Sequence, residues 1–311
     1  MPVHRRVGGA RLRHGAGAMN THFVALLGLL GFSALGAYRA AAGGEGDADD
    51  AEATPPVALA EDRYFTARKD LEGGGYLLQD VNLDVPARHA AALDLAAANL
   101  DPDATRAVDD APDGDLVLYG SLAASAPGVD TENLIVKVAY RGLPGMAPAP
   151  GDGFFVVRDR QPSIGCGVAP GDDSVAARLD TGDTSDVTTV AVARAAAPRV
   201  DEAWLASRVR RHGAVVAAQL RDGVLEVSQV FLRLPDDGGP CLLIRHVCNA
   251  PLHATYTRDP NRCLVFDHCV APRPCSFLRP GPCADGYRQV SWPADNAQCV
   301  AFACDPAFLA E

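Results

Sequence analysis

Cysteine is where this chain concentrates its reactive side chains. Eight of nine fall between Cys241 and Cys304, spaced as Cys241-x6-Cys248-x14-Cys263-x5-Cys269-x5-Cys275-x7-Cys283-x15-Cys299-x4-Cys304. A structural zinc site wants short C-x2-C pairs, and none is present. His246, His253 and His268 stand near these thiols but complete a metal set only where the thiols stay reduced. An even number of widely spaced cysteines in a short, Pro- and Gly-rich stretch instead suits a disulfide framework. Cys241, Cys248, Cys263, Cys269, Cys275, Cys283, Cys299 and Cys304 are therefore expected to form four bridges. Their connectivity is left open by spacing alone, and no metal ligand is assigned. The ninth, Cys166, sits between Gly165 and Gly167. A nucleophilic cysteine needs a neighbouring base and a lowered pKa, and no His is placed beside it by sequence. Cys166 is expected to be a free, small, buried thiol.

Other chemistries have less support. No G-x-S-x-G elbow, H-E-x-x-H helix, P-loop or G-x-G-x-x-G turn occurs. Asp180, Asp183 and Asp186, like Asp109, Asp110, Asp113 and Asp115, are spaced as in a calcium loop. Neither set carries the closing bidentate Glu, so both read as solvated acidic turns. Asp47, Asp49 and Asp50 read the same way. The tail aromatics Tyr256, Phe266, Phe277, Tyr287, Trp292 and Phe302 could line a sugar- or partner-binding surface, or pack against the cystines. The residues assign no catalytic group and no cofactor.

The elements that position these groups begin with a leader. Arg5, Arg6, Arg11 and Arg13 precede an apolar run from Phe23 to Tyr38, and Ala40, Ala41 and Ala42 follow. Basic, apolar and small-residue regions in that order predict a secretory signal over 1–42. The apolar run is short of the roughly 20 residues a span needs, so no stable membrane span is expected after cleavage. Residues 43–62 mix Gly, Pro, Ala and acids with almost no large apolar side chain, and read as a disordered acidic linker. The formal net charge is −11; the five Arg of 1–42, with no acid among them, leave −16 on the remainder. Such a balance repels phosphate backbones, so nucleic acid is not an expected partner.

From 63 to 235 the sequence shows an internal repeat. Tyr64-Phe65 is echoed by Phe154-Phe155. Leu134, Val136, Tyr140, Leu143 and Pro144 are matched by Leu225, Val227, Phe231, Leu234 and Pro235. A spacing near 90 residues at both ends predicts two related units, 63–145 and 150–235. Each reads as an aromatic strand, two further alternating or β-branched runs (75–83 and 88–96; 173–180 and 187–194), a short helix and a closing hairpin. The second helix is the clearer, with Asp201 and Glu202 at its start, Trp204, Leu205 and Val209 on one face, Arg208, Arg210 and Arg211 in its last turn, and Gly213 as stop. Asp222-Gly223 predicts a tight hairpin turn. The expected fold is α+β: two mostly antiparallel sheet units with one short helix each, followed by a small disulfide-rich tail domain, 241–311.

The aromatic strand, Gly74-Gly75-Tyr76-Leu77, Phe154-Phe155-Val156-Val157-Arg158-Asp159 and the closing strand from Val227 to Leu232 together resemble an uncharacterised domain family of secreted, myxobacterial-type proteins, over residues about 60–235. The family has no assigned activity, so the resemblance implies context rather than mechanism. Its pattern also has cysteines at the first turn, where this chain has Asp70-Leu71-Glu72-Gly73, and a partner for Cys166, where this chain has Gly171. The function expected is that of a secreted or cell-envelope, non-catalytic modular protein that binds an extracellular protein or glycan. A protease inhibitor presenting Pro272-Arg273-Pro274 or Leu278-Arg279-Pro280, and a hydrolase without a recognisable motif, are the alternatives.

Overall fold

The computed structural model describes residues 61–126, 131–160, 174–211, 213–236, 241, 246–274, 281–294 and 296–309, all within one compact unit, Pro56–Glu311. The leader 1–42, Asp47, Asp49, Asp50, Cys166, Cys275, Phe277 and Leu278-Arg279-Pro280 lie outside the described residues. The fold is α+β, mostly antiparallel, with a disulfide-rich tail.

The first half runs β1 (Arg63–Lys69), β2 (Tyr76–Asp80), β3 (Arg88–Ala90), β4 (Leu93–Asp94), helix α1 (Pro102–Asp109), β5 (Leu116–Ala124) and β6 (Glu132–Gly142). The second runs β7 (Gly153–Asp159), β8 (Ser174–Arg178), β9 (Thr184–Val187), β10 (Thr189–Ala191), helix α2 (Glu202–Arg211), β11 (Val215–Arg221) and β12 (Val224–Leu234). One sheet holds both, in the order β3-β2-β1-β5-β6-β12-β11-β7-β8-β9, with β4 pairing parallel to β6 and β10 parallel to β12. Read inward from either end, the two halves present the same sequence of elements. They meet where β6 and β12 pair antiparallel, with Arg141 opposite Leu232 and Tyr140 opposite Arg233.

Local chemistry accounts for the individual elements. The Asp101 carboxylate accepts from the Ala104 N–H at 2.7 Å and Pro102 opens the helix, so α1 is capped and pre-set in φ. Asp201 does the same for α2, accepting from the Ala203 and Trp204 N–H groups. Trp204, Leu205 and Val209 are buried on one face as their spacing requires, and Gly213 ends the run at φ +66°. Asp222 and Gly223 both take positive φ, as a type I′ turn demands. β5 and β11 each carry a bulge at matching places, Tyr119/Gly120 and Ala217/Ala218. At the first, a Cβ on Gly120 would meet the Ile135 carbonyl oxygen at 2.0 Å, so only glycine fits.

Three apolar clusters hold the unit together. One lies beneath α1, around Phe65, Leu78, Val108, Leu118 and Leu134; another beneath α2, around Trp204, Leu205, Val216, Leu225 and Leu232. The third mixes both halves: Val81, Val117 and Tyr140 with Val156, Val215 and Phe231. Around this shared core the halves cap each other. The Asn82 side chain accepts from the Phe154 N–H (2.8 Å) and donates to the Phe154 and Leu179 carbonyls (both 2.9 Å). Reciprocally, the Asp180 carboxylate accepts from the Tyr64 N–H at 3.0 Å. Asn82 and Asp180 both sit at φ +58°, a conformation Asn and Asp tolerate better than most residues.

The tail consists of two hairpins: β13 (His253–Arg258) with β14 (Leu264–Val270), and β15 (Tyr287–Ala294) with β16 (Asn296–Pro306). Cys241–Cys263 and Cys248–Cys269 brace the first and Cys283–Cys304 the second, with Cα atoms 5.2, 5.9 and 5.7 Å apart. Cys299 is also disulfide-bonded. The second hairpin does not stand apart from the body. Tyr287, Cys304 and Leu309 belong to the core beneath α2. The backbone agrees: Cys304 N–H donates to the Arg199 carbonyl at 2.9 Å.

Candidate functional site

Two charged constellations stand out among the described residues, and they share the seam between body and tail. The first is buried. Arg208 of α2, Asp236 after β12, Arg258 of β13, Arg262 in the following turn and Asp305 of β16 converge from five places in the chain. Arg258 donates to both Asp305 oxygens, at 2.8 and 2.5 Å. Arg262 reaches Asp236 at 3.2 Å and Asp305 at 3.5 Å, and Arg208 pairs with Asp236. The Trp204 ring lies 5.7 Å from the Arg262 guanidinium and Trp292 lies 5.6 Å from that of Arg258. Three guanidiniums face two carboxylates. Burial pushes Arg262 below the usual guanidinium value, and Asp236 and Asp305 oppose that shift. Each guanidinium here pairs with at least one of the two shared carboxylates, so the cluster's work is to clamp both hairpins to the end of β12 and to α2.

The second is a cleft of about 520 Å³ on the other side of the same seam. Its walls are α1 with its C-cap (Asp103, Arg106, Ala107, Asp110) and the tail (Arg288, Ala307, Phe308, Leu309), and Arg141 of the central strand β6 also lines it. The Arg141 Nη1 donates to the Ala107 carbonyl at 2.7 Å, and the Phe308 ring lies 4.6 Å from its guanidinium carbon. The group is half-buried, and desolvation lowers its pKa, opposed by the more distant Asp115 and Asp110. Arg106 is paired with Asp103 at 3.1 Å. Arg141 has no described carboxylate within ion-pair reach. A larger cleft of about 650 Å³ lies over β12, lined by Asp152, Gln219, Arg221, Glu226 and Ser228. There Ser228 Oγ donates to Asp152, and Arg221 pairs with Glu226 at 3.9 Å, so its charges are largely answered from within.

The residues singled out from sequence are placed in structural roles. Asp180 caps β1; Asp113 accepts from the Lys69 N–H at 3.0 Å; Asp186 pairs with Arg160. His246 stacks on Phe266 at 4.1 Å, and Tyr256 meets that ring edge-on. The His268 carbonyl accepts from the buried Thr255 hydroxyl at 3.0 Å. Phe302 carries Arg199, and Tyr287 is in the core. Among the described residues no cluster of three or more His, Cys, Asp or Glu is gathered as a metal ion needs, and no helix is long and apolar enough to cross a membrane.

Sequence reasoning did not single out Arg141, although it paired the strands that contain it. The signal was a charged residue on β6 facing its own counterpart, Leu232, which is 1% exposed in the second core.

Comparison with known proteins adds kinship. No family model matches the chain, and no solved structure matches it significantly. A protein of Dictyostelium discoideum described as uncharacterized is 30% identical over 203 residues, 62% of this chain and 69% of the relative. The chain belongs to the family of that protein. The relative's description names no ligand and no reaction, so the chemistry of this family member is read from its own geometry.

Proposed function

We propose that this protein is exported and acts outside the cytoplasm as a non-catalytic binding module, with the cleft between α1 and the tail as its binding site. The observation that carries the reading is the cystine bracing of the second hairpin, by Cys283–Cys304, which completes the walls of that cleft. Disulfides persist where thiols oxidise, in secreted, periplasmic or envelope proteins. A wall fixed by cross-links and by a buried ion cluster loses little freedom when it meets a ligand, which favours binding. The basic and apolar leader over 1–42 supports the same compartment, and the resemblance to a secreted, myxobacterial-type family supports it further. The common order of elements in the two halves supports descent from one duplicated unit.

Expressing the whole chain with its leader in a bacterial host and fractionating the cells tests this. The expected product is extracytoplasmic, lacks about the first 42 residues, and resists thiol labelling throughout the tail. A cytosolic product whose tail cysteines all label overturns it.

A second reading is favoured by one observation: Arg273, between Pro272 and Pro274, is exposed. A braced, Pro-flanked Arg is the form in which a protease inhibitor presents its contact residue. Inhibition of a trypsin-like protease by the intact protein, lost in Arg273→Ala, would support it; full protease activity in the presence of excess protein would sink it.

A further inference from the structure

We propose that Arg141 is the anchor of a carboxylate-binding site, and that the cleft between α1 and the tail takes a monoanionic carboxylate with an adjoining apolar group. The proposal deepens the binding reading by naming the ligand class of that cleft.

The two halves show what Arg141 replaces. Residues of β6 and β12 correspond position by position: Leu134, Val136 and Ala139 lie beneath α1 as Leu225, Val227 and Val230 lie beneath α2. The next position on that face is Leu232 in the second half, a core residue, and Arg141 in the first. A guanidinium at a core position costs desolvation that a leucine avoids. Where such a group serves only the fold, a carboxylate usually answers it, as Asp305 and Asp236 answer Arg258, Arg262 and Arg208 in the buried cluster. Arg141 instead has one protein acceptor, the Ala107 carbonyl, and four N–H donors without a described acceptor.

Its orientation is nevertheless fixed. The bond to Ala107 and the Phe308 ring hold the guanidinium from two sides, so little rotamer freedom remains to be lost on binding. A planar fork held this way matches a carboxylate through two parallel N–H···O bonds. Arg288 and Arg106 also line the walls, Arg106 paired with Asp103, and the partly exposed Phe308 ring supplies apolar surface for what the carboxylate carries. Asp103 and Asp110 also line the cleft. They repel a dianion more than a monoanion, which favours a carboxylate over inorganic phosphate. Free carboxylic acids and peptide C-termini share this chemistry.

The test uses the intact, oxidised protein in isothermal titration. Its probes are N-acetyl-leucine, an acetylated tetrapeptide ending in a free leucine carboxylate, the same tetrapeptide as its C-terminal amide, and inorganic phosphate. Arg141→Leu, which installs the residue of the second half, is compared with the parent after thermal melts show that it folds. The expected result is binding of one or both free carboxylates, with amide and phosphate at least about tenfold weaker, and loss of about tenfold or more in Arg141→Leu. Binding of both carboxylates points to a small acid, and of the tetrapeptide alone to a peptide terminus. The proposal is overturned if no free carboxylate binds, if the amide or phosphate binds as well, or if Arg141→Leu binds like the parent. In each of those cases export and disulfide formation are untouched, so the broader reading fails or stands on its own test.

Discussion

At the scale of single residues, Asn82 and Asp180 do the same work with different chemistry. Both cap the aromatic strand of the opposite half, but one side chain is neutral and the other ionisable. Burial raises the Asp180 pKa, and Asp80 adds to the shift, while the Tyr64 N–H and Arg63 oppose it. The folded chain therefore holds this proton more tightly than the unfolded chain does. The stabilisation is full below the ordinary carboxylate range and is lost as pH rises through the folded value. Asp180→Asn, which installs the amide already used at position 82, is expected to match the parent in acid and to exceed its stability by up to about 1 kcal/mol at neutral pH. Urea unfolding at both pH values checks this; a variant less stable than the parent at neutral pH would show that the ionised form is preferred.

In the buried cluster, removing a carboxylate is costly. Asp305→Ala leaves Arg258 enclosed without its bidentate partner, and a cost of about 3 kcal/mol is expected. A denaturant midpoint indistinguishable from the parent would mean that water reaches this seam. Neither pair was legible in the sequence. Asp180 read as one of three acids in a turn, and Arg208 as a helix-end base, because long-range partners carry no local spacing. Arg208 sits in the last turn of α2 as its charge favours, yet it is buried against Asp236.

At the scale of elements, periodicity and turn chemistry carried much of the information. β1 and β7 occupy the residues their aromatic alternation predicts, 63–69 and 153–159, and the Asp222-Gly223 turn follows from residue type. The run expected at 88–96 is instead broken into β3, β4 and a 3-10 turn at Ala96–Ala98, because alanine favours helical over extended backbone and weakens a strand. The tail held a pattern that was visible and went unused. Cys241, Cys248, Cys263 and Cys269 are spaced almost as Cys275, Cys283, Cys299 and Cys304. In the first group the bridges join first to third and second to fourth cysteine, and in the second group second to fourth. Non-reducing peptide mapping is expected to find Cys299 linked to Cys275 and Cys166 as the one labelled thiol. A Cys166–Cys299 peptide would break the correspondence between the two groups.

At the scale of the whole molecule, the tail reads in sequence as a self-contained stapled module, yet it is built into the body's core. Large apolar residues are sparse in it because the second hairpin buries Tyr287, Cys304 and Leu309 against α2 and its sheet rather than against a core of its own. A chain ending at residue 236 therefore loses part of the second core together with Arg262, the tail partner of Asp236. Its melting temperature is expected to fall by about 10 °C or more relative to the whole chain. An unchanged melt would show that the body is complete without the hairpins.

The joint between β6 and β12 has a consequence for assembly. Its register places Arg141 against its own counterpart, so the seam reads the same from either side. That is the geometry of an isologous contact, here closed within one chain instead of between two. An isolated half presents the same strand edge to a second copy of itself. For the second half, leucine would then face leucine at the axis; for the first, guanidinium would face guanidinium. Like charge at the axis makes self-pairing of the first half the less favourable of the two, and a covalently joined, unlike partner removes that repulsion.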